Sequence, residues 1–153
     1  MAHIEGNVRI NASVEDVFSF VADWRNVAEC CEGIYDYHAI GEIAEGLGAR
    51  FSYRTRSPVA GEISYVMEVA DFKENRGITF KSVEGAGREE RWWFVEEPGW
   101  PRGTRVVYDL RYTVPVPVIG GLVDSLLVKK QWTDQAQKSL LKIKSKVEGA
   151  TAA

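Results

Sequence analysis

The feature that most constrains this chain is a change of period late in its length. Before it, apolar residues alternate in aromatic-rich runs. After the punctuated stretch Pro115-Val-Pro117-Val-Ile-Gly120-Gly121, an uninterrupted helical pattern extends from about Leu122 to Val147. At roughly 1.5 Å per residue, about 26 residues make a helix about 39 Å long, enough to cross a whole small sheet. One long helix laid over a curved antiparallel sheet leaves a space between them. What fills that space is the functional question.

The alternating part reads as strands near 34–42, 50–57, 62–73, 77–84, 88–97 and 104–114. The clearest runs are Val106, Tyr108, Leu110, Tyr112 and Ile63, Tyr65, Met67, Val69. Pro58-Val-Ala-Gly61, Glu74-Asn-Arg-Gly77, Gly85-Ala-Gly87 and the segment from Pro98 to Gly103 carry turn chemistry suited to hairpins. Such short links favour antiparallel neighbours, because parallel strands need long crossovers. Ahead of them, His3 to Ile10 forms a further strand, and Ser13 with Asp16 three residues on marks a helix start. Val14, Val17, Phe18 and Val21 then share one helical face. Asp23-Trp24-Arg25-Asn26 interrupts the pattern before a second short helix over Val27–Cys31. The expectation is α+β: about seven antiparallel strands in one sheet, two short helices after the first strand, and a long C-terminal helix. A single domain over 1–153 is expected, with disorder only in the tail at about 149–153.

Composition narrows the function classes. Nineteen basic against twenty-two acidic residues give a net charge of -3 and a pI near 5.5, which argues against nucleic-acid binding. The two cysteines are adjacent, Cys30-Cys31, too close for an unstrained disulfide. No Cys/His cluster has metal-ligand spacing, so neither a metal nor another cofactor is expected. The start, Met1-Ala-His-Ile-Glu-Gly, lacks a basic region followed by an apolar run, and Val116 to Val128 is too short and interrupted to span a bilayer. A cytoplasmic protein without stable membrane insertion is expected.

The chain resembles the START-like, polyketide cyclase/dehydrase-type superfamily (SRPBCC), built on the helix-grip fold. The resemblance runs from Val8 to Val147. It is carried by the opening from Ile10 to Trp24, by Gly46-Leu-Gly-Ala-Arg50 before a strand, by Gly103-Thr-Arg-Val-Val-Tyr108 as a last strand, and by the long helix after its hinge. These motifs belong to the fold and carry no chemistry of their own. The resemblance implies a curved sheet wrapped around the C-terminal helix, with a cavity between them. Members of the superfamily bind sterols, lipids, polyketides or hormones there, and some cyclise or dehydrate polyketides.

If the sheet curls, one parity class lines the cavity. Phe51, Tyr53, Tyr65, Met67, Phe80, Trp92, Phe94, Tyr108 and Tyr112 are the candidates. On the helix, Leu122 and Leu126 belong to an apolar stripe continued by Ala136, Leu140, Ile143 and Val147, with Lys129, Lys130 and Thr133 in or beside its middle. Leu122, Leu126, Lys129 and Thr133 are therefore ligand-facing candidates. The plain alternative is an ordinary packed core. Asp36-Tyr37-His38 is the one place where a histidine meets an acid and a phenol, and Asp36 and His38 would share a strand face. Set against it is an edge strand's solvated side. Glu89-Glu90 and Glu96-Glu97 read as solvated charge, and Arg50, Arg54 and Arg56 as an exposed row near Glu62 and Glu68.

Two function classes follow, with a weaker third. The first is a module binding, carrying or sensing a small hydrophobic ligand, lipid-like or aromatic and polyketide-like. The second is a cyclase or dehydratase, with His38, Asp36 or Tyr108 handling protons. The third is docking of a protein or membrane surface through Pro115–Leu127.

Overall fold

The computed structural model describes residues 2–113 and 121–151, with the side chains of 121–124 outside the description. Its elements, in chain order, are β1 (Ala2–Ile10), α1 (Val14–Ala22), α2 (Trp24–Cys30), β2 (Ile34–Ile40), β3 (Arg50–Ser57), β4 (Gly61–Lys73), β5 (Gly77–Glu84), β6 (Arg88–Glu97), β7 (Gly103–Tyr112) and α3 (Gly121–Thr151). The expected strands are all present, within two residues of their expected ends. The Pro115–Gly120 hinge lies outside the described residues. At the other end, α3 continues past Gly149 to Thr151, whose hydroxyl donates to the Val147 carbonyl at 3.1 Å.

All seven strands form one antiparallel sheet in the order β1-β7-β6-β5-β4-β3-β2. Hairpins make every step from β2 to β7, as their short links require. Only the step from β1 to β2 crosses the whole sheet, from one edge to the other. α1 and α2 fill that crossing. Ser13 caps α1 by accepting from the Asp16 N–H at 3.2 Å, and Asp23 ends α1 while capping α2 through the Arg25 N–H at 3.0 Å. The buried face of α1 closes one end of the curled sheet, with Phe18 edge-on to Phe72 and Phe94 at 5.4 and 5.2 Å.

Strand parity sets the concave face: Phe51, Tyr53 and Thr55 on β3, Ile63, Tyr65 and Met67 on β4, and Val106, Tyr108, Leu110 and Tyr112 on β7 are all buried. Trp92 is buried while Trp93 is exposed, one indole to each face. The outer face carries the arginine row in ion pairs, Arg50 with Glu68 at 2.7 Å and Arg54 with Glu62 at 3.0 Å. α3 lies in the concavity and packs closely on β1. Gly6 permits this approach, since a Cβ there would stand 3.2 Å from Leu140 Cδ1. The inward face of α3 is Val128, Trp132, Leu140, Ile143 and Val147.

That face corrects the expected stripe in its N-terminal half. Val128 and Trp132 hold the inward positions. Thr133, about 100° round the helix from Trp132, is half-buried. Leu126 is 55% exposed, Lys129 is exposed, and the Thr133 hydroxyl is spent on the Lys129 carbonyl at 2.6 Å. The side chain of Leu122 is outside the described residues.

Candidate functional site

Between the concave sheet, α2 and α3 lies a narrow cavity. Val27, Ile34, Leu110 and Leu140 give it aliphatic walls, and Tyr37, Trp92, Tyr108 and Trp132 give it aromatic ones. The centre of a water-sized occupant has about 40 Å³ of free space, room for roughly three waters. A larger guest must displace side chains.

The cavity also has a charged floor. On β6 the inward parity of Trp92 and Phe94 continues backwards to Glu90 and Arg88, which are 8% and 6% exposed. Arg88 Nε donates to Glu90 Oε1 at 2.8 Å, and the Tyr53 hydroxyl donates to the same oxygen at 2.9 Å. The guanidinium carbon lies 5.6, 5.1 and 5.1 Å from the ring centres of Tyr53, Tyr65 and Trp132. This overturns the expectation that Glu90 is solvated. Strand parity, had it been extended through the charges, was the signal that could have found the pair.

Electrostatics follow from burial. Burial alone would drive Arg88 towards neutrality, but nearby negative charge outweighs it and keeps the pKa well above the ordinary value. Burial, reinforced by Glu90, lifts the Tyr37 and Tyr108 phenols well above their usual range; at Tyr53 burial prevails against the opposing charge of Arg88. These tyrosines are therefore protonated donors at neutral pH, and the working partner of Arg88 is the Glu90 carboxylate. Cys31 is part-buried as a residue, yet burial around its sulfur pushes the thiol up to about 12. It is not a ready nucleophile. Ser139 is committed too, accepting from the Glu32 N–H at 2.8 Å and donating to the Gln135 carbonyl at 2.7 Å. It pins the turn after α2 onto α3, where Gly33 (φ 74°) lies under the Gln135 side chain.

The sequence-chosen residues divide. Trp92 and Tyr108 line the cavity, and Tyr53 and Tyr65 surround Arg88. Tyr112 packs on Trp132 at 4.6 Å, Met67 is fully buried, and Phe94 packs on Phe18. Phe51 and Phe80 line a second, smaller hollow with Trp24, Val69 and Phe72, beside Glu45 and Gly46 of the β2–β3 loop. Tyr37 and Val27 border both hollows. Sequence reasoning missed Tyr37 because a bulge breaks the β2–β3 register between Tyr35 and His38, with Asp36 at φ 53°. The same bulge leaves Asp36 and His38 on the exposed side. His38 Nδ1 meets the Asp36 carbonyl at 2.9 Å, while the Asp36 carboxylate lies 3.6 Å from Arg54. They form no acid–imidazole pair in the cavity. Trp132 was missed as well. Its Nε1 donates to the Arg56 carbonyl at 3.1 Å, tying α3 to the end of β3.

Among the described residues, one group offers possible metal ligands: His3, Glu5 and Asp109 on the outer face. His3 Nε2 meets Asp109 Oδ2 at 2.7 Å and Arg111 stands 3.6 Å from the other oxygen, so a cation is already at hand. No described helix is long and apolar enough to cross a membrane.

A family model described as polyketide cyclase / dehydrase and lipid transport matches residues 1–148. No curated protein matches the sequence. Among solved structures, one from Thermus thermophilus is similar at 22% identity, with a TM-score of 0.81 and coverage of 97% of this chain and 99% of that one. A START superfamily protein from Mycobacterium smegmatis is similar at 19% identity, TM-score 0.69, covering 97% and 98%. One from Deinococcus radiodurans is similar at 18% identity, TM-score 0.68, covering 97% and 99%. At these identities the likeness is one of fold: a curled seven-stranded sheet gripping a long C-terminal helix.

Proposed function

The chain belongs to the polyketide cyclase / dehydrase and lipid transport family, and on that premise we propose that it holds a small hydrophobic ligand, lipid-like or aromatic, between sheet and α3. The observation that carries this reading is the cavity itself. Trp92, Tyr108, Leu110, Trp132 and Leu140 present mainly apolar surface to an interior space bounded by the long helix. Affinity would come chiefly from apolar burial, at about 25 cal/mol per Å². Carriage or sensing fits the chemistry better than catalysis. The thiol and phenols are held protonated, Ser139 is committed, and His38 lies outside.

One observation supports a second reading, a cyclase or dehydratase. The Tyr108 phenol shares the cavity with Glu90, close enough to feel its charge, so a donor acid and a carboxylate flank one space. Incubating the purified protein with mixed lipids and aromatic metabolites, then analysing it by native mass spectrometry, separates the two. Recovery of a bound molecule unchanged supports binding, and release of a cyclised or dehydrated product supports the enzyme. An empty protein across a broad library counts against both.

A further inference from the structure

A guest held between sheet and α3 needs a way in, and the two edges of the sheet meet α3 differently. Along β1 the helix is sealed. Leu140 lies against Gly6, and the Lys144 ammonium donates to the Arg9 carbonyl at 2.7 Å. On the β2 side, the ties among the described residues fall in two places. Trp132 Nε1 donates to the Arg56 carbonyl at 3.1 Å. Two turns on, Ser139 accepts from the Glu32 N–H, and beyond it Lys142 and Lys146 pair with Glu32 and Glu29. Between Trp132 and Ser139 lies a gap of about 10 Å along the helix.

Gln135 fills that gap. Its side chain rests on Gly33, where a Cβ would collide with the Gln135 amide. Outside is a surface groove lined by Gly33, Tyr35, Arg56, Gln131 and Gln135, with about 310 Å³ free for the centre of a water-sized occupant. Inside is the cavity. Ile34 and Thr55 line the cavity, while their strand neighbours Tyr35 and Arg56 line the groove, as alternation requires. Among the described residues, Gln135 is the one that borders both spaces.

Packing is what holds Gln135 in place. Its backbone carbonyl takes the Ser139 hydroxyl, but its side-chain amide makes no hydrogen bond to a described residue. One turn back, Gln131 Oε1 is buried and has no partner among the described residues. Residues four apart on a helix are neighbours, so an outward swing of the Gln135 amide brings its N–H groups towards that oxygen. The closed position keeps its contact with Gly33, and the open one satisfies an acceptor that burial has stripped of water. Opening at Trp132 or Ser139 would break a bond to backbone, and opening along β1 would separate packed surface. A side-chain rotation requires neither and is far faster than local unfolding.

We propose that the seam where Gly33 and Tyr35 face Gln131 and Gln135 is the portal of the cavity. Gln135 is its gate, closed over Gly33 and open when its amide turns to Gln131. The proposal rests on the hydrophobic-ligand reading and adds the route by which the guest enters and leaves. A slot about 10 Å long between two fixed ties favours an alkyl chain or a flat aromatic over a bulky, branched guest.

The test is stopped-flow fluorescence with N-phenyl-1-naphthylamine, a neutral aromatic probe whose emission rises in apolar surroundings. Gln135→Ala removes the gate and leaves both ties. It is expected to speed association and dissociation together, each about fivefold or more, with Kd held within about twofold, because a gate sets the barrier and not the end states. A residue that only touched the bound guest would change dissociation and Kd and leave association as it was. Gln135→Trp, which fills the slot, is expected to slow both rates about tenfold. Unchanged association in Gln135→Ala overturns the portal and leaves the hydrophobic reading standing. A Glu45→Trp variant that slows exchange where folded Gln135→Trp does not also overturns it, and places the entrance under the β2–β3 loop. Absence of saturable probe binding by the wild-type protein overturns the portal and the hydrophobic reading together.

Discussion

Arg88 and Glu90, two residues apart on β6, point the same way into the cavity and are joined by a 2.8 Å bond from Nε to Oε1. Both are more than nine-tenths buried. Their value to the fold is asymmetric. Removing Glu90 alone strands a buried guanidinium, and Glu90→Leu is expected to cost about 3–5 kcal/mol. Removing both partners with Arg88→Met/Glu90→Leu avoids the stranded charge and is expected to cost less than the single change. Urea midpoints of the two variants check this, and a double variant less stable than Glu90→Leu would show that the pair stabilises the fold outright.

Tyr37 separates two hollows. Its ring is stacked 5.4 Å from that of Tyr53 and 6.4 Å from that of Trp24, and it borders both the main cavity and the space under the β2–β3 loop. Tyr37→Ala is expected to join them, at about 3 kcal/mol of stability for the lost packing. A chain-length series of hydrophobic probes should then shift its optimum to longer members. An unchanged optimum would mean that the wall lies elsewhere.

Stability should fall at high pH. Cys31, pushed up to about 12 from an ordinary 9.0, and the phenols of Tyr53 and Tyr108 are acids whose folded pKa values exceed their unfolded ones. The folded state thus keeps protons that the unfolded chain has shed. This contribution is whole below about pH 9 and is lost as the pH rises from the unfolded towards the folded values. Chemical unfolding at several pH values should show the decline, shallower in Cys31→Ala. Alkylation of Cys31 near pH 8 should be slow until the protein unfolds.

His38 lies outside the cavity, and its contact with the Asp36 carbonyl is local to the bulge. His38→Ala is expected to change stability by no more than about 0.5 kcal/mol and to leave probe binding unaltered. A loss of turnover in this variant, should a reaction be found, would return His38 to the chemistry.

Much of the architecture was legible because it depends on local rules. Period two from Ile63 to Val69 and from Val106 to Tyr112, turn residues between strands, and Ser13 ahead of an apolar helical face all act within a few residues. The site was legible only in part. Trp92 and Tyr108 follow from parity, whereas Glu90, one of two neighbouring carboxylates that alternate across the strand, reads as solvated charge. In the structure that reading yields to two specific partners, the Arg88 guanidinium and the Tyr53 hydroxyl. On α3, the apolar stripe was phased through Leu126, and only packing against the sheet chose Val128 and Trp132 instead.

By itself, then, the sequence determined which segments are strands and helices and which residues share a strand face, since steric periodicity and turn chemistry need no distant partner. Tertiary structure decided which apolar residues of α3 face inward, where β2 bulges to swing Tyr37 into the interior, and that an ion pair lies beneath the ligand space. Parity alone sets Arg88 and Glu90 on one face of β6, but their burial, like the other two outcomes, depends on what the rest of the chain packs against that face, which no local pattern encodes.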